Sequence, residues 1–157
     1  MINDLYFDDI TVEKEFRSLL KKRFVEDDIF NMYNREINLV TMDFDEHQDV
    51  DLPAVTIYVY QNNAFEKDDE QIQAYSYITV EINVYTSGDS KVLNNRTLCN
   101  KIIQIMQSNG RLDTYYNRGL KLESNSEVGS MLDSAYRRVI RMSGICDNKL
   151  KIIRQGE

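Results

Sequence analysis

The chain has no tryptophan, a single proline, a single histidine and two cysteines in 157 residues, and its six glycines stand singly at positions 88, 110, 119, 129, 144 and 156. Each scarcity removes a class of function. Scattered glycines leave no loop whose backbone amides would cradle a phosphate. Cys99 falls on a helical stripe and Cys146 near a turn, so each reads as a small buried hydrophobe rather than half of a disulfide. His47 sits in an acidic loop without a Cys or His neighbour, the setting of a solvated residue and not of a metal ligand or base. No apolar run approaches the roughly 20 residues that cross a bilayer. Residues 1–10 carry Asp4, Asp8 and Asp9 and no basic residue, unlike a secretory signal. The expectation is a protein with no membrane association, made and kept in the cytosol unless it leaves within a larger particle.

A basic excess is also missing. The net charge is −7, from 19 basic and 26 acidic residues, and affinity for nucleic acid comes mainly from Lys and Arg releasing counterions. The charge is unevenly spread. Residues 136–157 hold six basic side chains against two acidic ones, a net +4 that leaves −11 on the first 135. Two clusters dominate the acidic part: Asp43, Asp45, Glu46, Asp49 and Asp51, then Glu66, Asp68, Asp69 and Glu70.

What the chain does have is alternation. Residues 72–85 place Ile72, Ala74, Ser76, Ile78, Val80, Ile82 and Val84 on one face, and Gln73, Tyr75, Tyr77, Thr79, Glu81, Asn83 and Tyr85 on the other. Period two marks a strand with one buried and one wetter face. Fourteen residues at ~3.3 Å each span roughly 45 Å, against about 17–20 Å for an ordinary strand. A strand that long is expected to lean on something outside its own fold.

The rest of the chain reads around it. Val12, Phe16, Leu19, Leu20 and Phe24 form one face of a helix with Thr11 as its N-cap, fading near Glu26-Asp27-Asp28. Residues 37–44 read as a first strand and 43–51 as an acidic loop. Residues 54–60, with Val55, Ile57 and Val59 opposite Thr56, Tyr58 and Tyr60, form an antiparallel hairpin with the long strand. A second helix from Ser90 to about Gln107 presents Val92, Cys99, Ile102, Ile103 and Met106, with Asn109-Gly110 as its stop. Residues 112–128 are polar and irregular, with Leu120 and Leu122 marking at most a short strand. Residues 136–142 alternate again, Asp147-Asn148 turns, and residues 150–154 return. Helix, three strands, helix and a terminal hairpin, in one domain over residues 1–157, indicate an α+β fold. The sheet is mostly antiparallel with a long β-hairpin, and two main helices cover its aliphatic face.

No catalytic constellation competes with this packing pattern. Asp43, Asp45, Asp49 and Asp51 lack the glycine and terminal glutamate of an EF-hand. A metal-dependent nuclease needs acid-x-Lys on a strand. Asp89-Ser90-Lys91 and Asp147-Asn148-Lys149 have that spacing but fall in predicted turns. The expectation is no enzyme, cofactor or metal. The hairpin tyrosines fit the half-exposed face of a sheet and equally the core of an interface.

The order of elements resembles the tail terminator (tail completion) proteins of long-tailed bacteriophages and of phage-tail-like bacteriocins. The resemblance rests on the N-terminal helix, Leu52-Pro53-Ala54-Val55-Thr56-Ile57-Tyr58-Val59, and Tyr77-Ile78-Thr79-Val80-Glu81-Ile82-Asn83-Val84-Tyr85-Thr86. It continues through Ile102-Ile103-Gln104-Ile105-Met106, Tyr136-Arg137-Arg138-Val139-Ile140-Arg141-Met142-Ser143-Gly144 and Lys151-Ile152-Ile153-Arg154. The resemblance implies a virion or tail-like-particle component assembled in the bacterial cytoplasm. It caps the head-proximal end of the tail tube as a homo-oligomeric, hexameric ring, ending growth and presenting the head-docking surface. Implied partners are other copies, the tube protein, the sheath where there is one, and neck or head-connector proteins. DNA passes through without specific binding, along a bore expected to be negative. Neck and head–tail joining proteins share this size and style and stand as the alternative, a small phage-encoded nuclease as a further one. The expected subunit contacts are Tyr58, Tyr60, Tyr75 and Tyr77 on the hairpin, with Arg137 and Arg141 facing Asp68, Asp69 and Glu70 of a neighbour.

Overall fold

The computed structural model describes residues 8–27, 37–40, 52–67, 73–129 and 135–148. Helix α1 (Asp9–Glu26) opens on Asp8, whose carboxylate accepts from the Ile10 amide and from the Thr11 hydroxyl. The aspartate therefore takes the N-cap expected of Thr11. A carboxylate satisfies the orphan amides of a first turn better than a hydroxyl, because it also meets the positive end of the dipole. Val12, Phe16, Leu20 and Phe24 recur every four residues and are fully buried, each contributing about 1.5–3 kcal/mol of burial.

The strands are β1 (Asn38–Val40), β2 (Ala54–Lys67), β3 (Gln73–Thr86), β4 (Gly110–Arg111), β5 (Tyr115–Asn117), β6 (Lys121–Val128) and β7 (Tyr136–Asn148), with helix α2 (Lys91–Gln107) between β3 and β4. They form one sheet in the order β1-β2-β3-β7-β5-β4, with β6 also on β7. Among the described residues only the β1–β2 pair is parallel. The fold is α+β with a mostly antiparallel sheet, as the alternation predicts. Residues 41–44 and 149–157 lie outside the described residues, and with them the far end of the first expected strand and the expected return strand.

The aliphatic face of the sheet is the core. Val55, Ile57 and Val59 from β2, Ile78, Val80, Ile82 and Val84 from β3, and Ile140, Met142 and Cys146 from β7 form one cluster with the buried stripes of α1 and α2. On α2 that stripe is Leu98, Cys99, Ile102, Ile103, Ile105 and Met106. Val92, expected on it, is exposed in the first turn.

Three expectations fail here, each for a local reason. The turn expected at Asp147-Asn148 is the end of β7, which pairs without interruption along β3 from Thr86↔Tyr136 to Tyr75↔Asp147. Residues 112–128, expected to be irregular apart from a short strand at Leu120 and Leu122, hold two strands along the other edge of β7: Tyr115↔Asn148 to Asn117↔Cys146, then Lys121↔Ser143 to Val128↔Arg137, so the short strand is there but longer than expected. Between them Arg118, Gly119 and Leu120 oppose only Gly144 and Ile145, a bulge. A second register shift falls between Leu122 and Ser124. Two bulges and a largely exposed β6 erase the alternation that would have revealed a strand. Finally, Gly110 does not close α2. Ser108 is the extended C-cap, and the last carbonyls are met from the bulge: the Asn117 amide donates to Met106 O and Ser108 O (3.2 Å each), and Leu120 N to Met106 O (2.9 Å).

Candidate interaction face

Alternate residues of β2, β3 and β7 point away from the core and build a second, aromatic and polar face. A ladder shift after Val59, which pairs with Val80 while Gln61 pairs with Thr79, leaves Tyr60 as an extra residue in β2. Tyr58 and Tyr60 remain neighbours on this face, with ring centroids 6.5 Å apart and planes 30° from parallel. Tyr58, Tyr60 and Tyr77 are 38–43% exposed, so three large aromatic side chains stand on this face in reach of a partner.

The two arginines expected to reach a neighbour are held inside the chain. One rung of the sheet runs Tyr58↔Glu81↔Arg141. Arg141 donates from Nε and Nη2 to Glu81 Oε1 at 3.3 and 3.2 Å, and its guanidinium lies 5.9 Å from the centre of the Tyr60 ring. This pair is at the rim, since the Arg141 side chain is 53% exposed. Arg137 donates from Nε and Nη2 to Asn83 Oδ1 at 3.1 and 2.7 Å and from Nη1 to Gly129 O at 3.2 Å, and stacks over the buried Tyr85 ring at 5.6 Å. Both arginines do share one face of one strand, as the alternation predicts. Their first partners, Glu81 and Asn83, were legible only once β7 was known to pair with β3 in this register. Tyr77 donates its hydroxyl to Ser143 Oγ at 2.9 Å, and Ser143 donates on to Glu123. Tyr75 is on β3 opposite Asp147. Asp68, Asp69 and Glu70 lie outside the described residues, as does His47.

The remaining polar groups serve the fold. Arg118 grips Asp147 through both carboxylate oxygens at 2.6–3.0 Å, so the acid of one expected acid-x-Lys triplet is a strand residue already paired; Lys149 lies outside the described residues. Glu15, buried on α1, accepts from the amides of Thr114 and Tyr115 and so ties the β4–β5 turn to the helix. Glu13 accepts from Val59 N at 3.0 Å, and Asp9 from the Asn62 amide at 2.6 Å, so α1 covers the outer edge of β2. Burial pushes the thiols of Cys99 and Cys146 up to about 12, and the Tyr115 hydroxyl likewise to about 12. Such thiols stay protonated and are poor nucleophiles. Among the described residues no three His, Cys, Asp or Glu side chains converge as a metal would need. None of the described helices is long and apolar enough to cross a membrane.

The arrangement defines an α+β domain with one face sealed by helices and the other presenting tyrosines and partly exposed, already paired charges. No family model matches the chain, and no match is found among curated proteins.

Proposed function

We propose that the protein is a structural component of a phage tail or tail-like particle, assembling as a ring that caps the head-proximal end of the tail tube. The observation that carries the reading is the tyrosine face on paired 14-residue strands. Aromatic side chains held half-exposed on a rigid sheet lose little entropy on binding, which is why tyrosine concentrates in interface cores. Arg141 and Glu81 at the rim add orientation more than affinity. The order helix, long hairpin, helix, closing strand also accords with the family that the sequence resembles.

A ring needs a heterologous contact, in which one surface meets a different surface of the next copy. Ring formation by the tyrosine face is tested by growing tail tubes from their own tube protein with and without this chain. Wild-type protein is expected to halt elongation and remain at one tube end. The Tyr58→Ser, Tyr60→Ser, Tyr77→Ser triple variant is expected to fold yet be lost from that end. Tubes that grow to the same lengths with wild-type protein present would overturn the reading. Mg²⁺-dependent DNA cleavage lost in Asp147→Asn would favour the nuclease instead.

A further inference from the structure

We propose that the groove between α2 and β6 receives the Tyr58–Tyr60 pair of a neighbouring copy, so that groove and tyrosine face are the two halves of the contact between copies. This deepens the ring reading and rests on it. A heterologous contact needs a second surface, distinct from the first. The groove has a volume of about 570 Å³ and is open to solvent. It is lined from α2 by Asn100, Ile103, Gln104 and Gln107, and from β6 by Leu122 and Asn125. Leu122 and Asn125 stand on the helix side of the sheet, because their partners on β7, Met142 and Ile140, are core residues.

The two halves match in chemistry. A tyrosine buried at an interface needs an apolar bed for its ring and a polar partner for its hydroxyl. Ile103 and the 38% exposed Leu122 supply the bed. Side-chain amides supply the partners. Asn100, Gln104 and Gln107 follow at i, i+4 and i+7 along one line of α2, and among the described residues their side chains have no hydrogen-bond partner. Side chains one helical turn apart are ~5–6 Å from each other, close to the 6.5 Å between the Tyr58 and Tyr60 ring centres. Among the described residues neither tyrosine hydroxyl has a hydrogen-bond partner.

They match in charge as well. Helix α2 holds no Asp or Glu. The one charged residue lining the groove, Lys101, is paired with Asp27 at 2.6 Å. The charges beside the tyrosines, Arg141 and Glu81, are likewise paired with each other. Closing the two surfaces together therefore strands no lone charge, which is the costly part of burying charged groups.

Geometry makes the match intermolecular. Tyr58 and Tyr60 stand on the face of the sheet away from the helices, whereas the groove lies on the helix side. Strands β3 and β7 separate β2 from β6, three strand spacings or roughly 14 Å. A chain cannot place its own tyrosines in its own groove. Each copy is free to give its tyrosines to one neighbour and to receive those of another, as a closed ring requires.

The test replaces Tyr60, and separately Tyr58, with the photo-cross-linking analogue p-benzoylphenylalanine, which keeps an aromatic ring at the position. The chain is irradiated at tube ends and the cross-linked peptides are identified by mass spectrometry. Cross-links between copies are expected within residues 97–107 and 122–125. In parallel, Asn100→Ala, Gln104→Ala and Gln107→Ala are combined in one chain. All three residues are exposed and alanine favours a helix, so far-UV circular dichroism is expected to stay unchanged. Labelled copies of this variant retained per tube end are expected to fall about tenfold at equal concentration. Cross-links elsewhere on the neighbour, cross-links to the tube protein alone, no cross-link between copies, or wild-type-like retention of the triple variant overturns the groove contact while leaving ring formation standing. If wild-type chain itself is not retained, the ring reading falls and this contact with it.

Discussion

Gly119 shows how much one residue decides. Its φ is +98°, and a Cβ there would sit 2.5 Å from the Gln107 carbonyl oxygen, so both conformation and space demand glycine. Gly119→Ala is expected to cost about 2–3 kcal/mol in urea unfolding. Gly88→Ala, also at positive φ (+90°) but in open space, should cost only about 1 kcal/mol. Equal costs would mean that packing against α2 does not matter at the bulge. The Arg118–Asp147 pair makes a second residue-scale case. Asp147 is 7% exposed, so Arg118→Ala strands a mostly buried carboxylate. A loss of roughly 1–3 kcal/mol is expected, and no measurable loss would show the pair to be ornamental. The buried thiols and Tyr115 set an alkaline limit. Their folded values near 12 exceed the ordinary 9 and 10, so the folded state holds these protons more tightly than the unfolded chain. Their contribution is complete below pH 9 and is lost as pH rises toward 12. Urea midpoints should therefore be level between pH 7 and 8.5 and fall above pH 9.5. Midpoints that rise over that interval would contradict the assignment.

At the scale of elements, legibility followed regularity. The hairpin, both helices and the aliphatic core were readable because Ile78, Val80, Ile82 and Val84, or Val12, Phe16, Leu20 and Phe24, keep one period throughout. Strand β5 was not, and β6 only at its start around Leu122, because the bulge at Gly119 and the register shift after Leu122 break period two, and β6 has little to bury. The end of α2 does not rest on Gly110 as expected, because the side chain that meets its last carbonyls, Asn117, arrives from a later strand. For the candidate face, the tyrosines were visible in sequence, whereas the arginines' partners depend on which strands are neighbours, a tertiary fact. Edge strands invite unwanted pairing unless covered, and here Glu13 occupies the Val59 amide on the outer edge of β2. Glu13→Ala should lower stability by about 1 kcal/mol and raise light scattering on incubation, and a variant that stays clear would deny α1 this guarding role.

For the whole molecule, charge is arranged more finely than its total suggests. The described residues hold 15 of the 19 basic side chains and 13 of the 26 acidic ones. The framework is thus slightly positive, and the acidic excess belongs to the residues between and beyond its elements. A ring contact rimmed by exposed charge such as Arg141 should weaken with salt, since exposed pairs are screened within about 10 Å at 0.1 M. Retention on tubes should fall between 50 and 500 mM NaCl but not vanish, because the tyrosine contacts are insensitive to screening. The most direct measurement is the rotational symmetry of wild-type chain bound at the ends of purified tail tubes, imaged by electron microscopy. The account predicts a closed ring of identical copies, six in number, with β2 and β3 of each against the next. A single copy at the tube end, or copies that touch one another without using the tyrosine face, would contradict it.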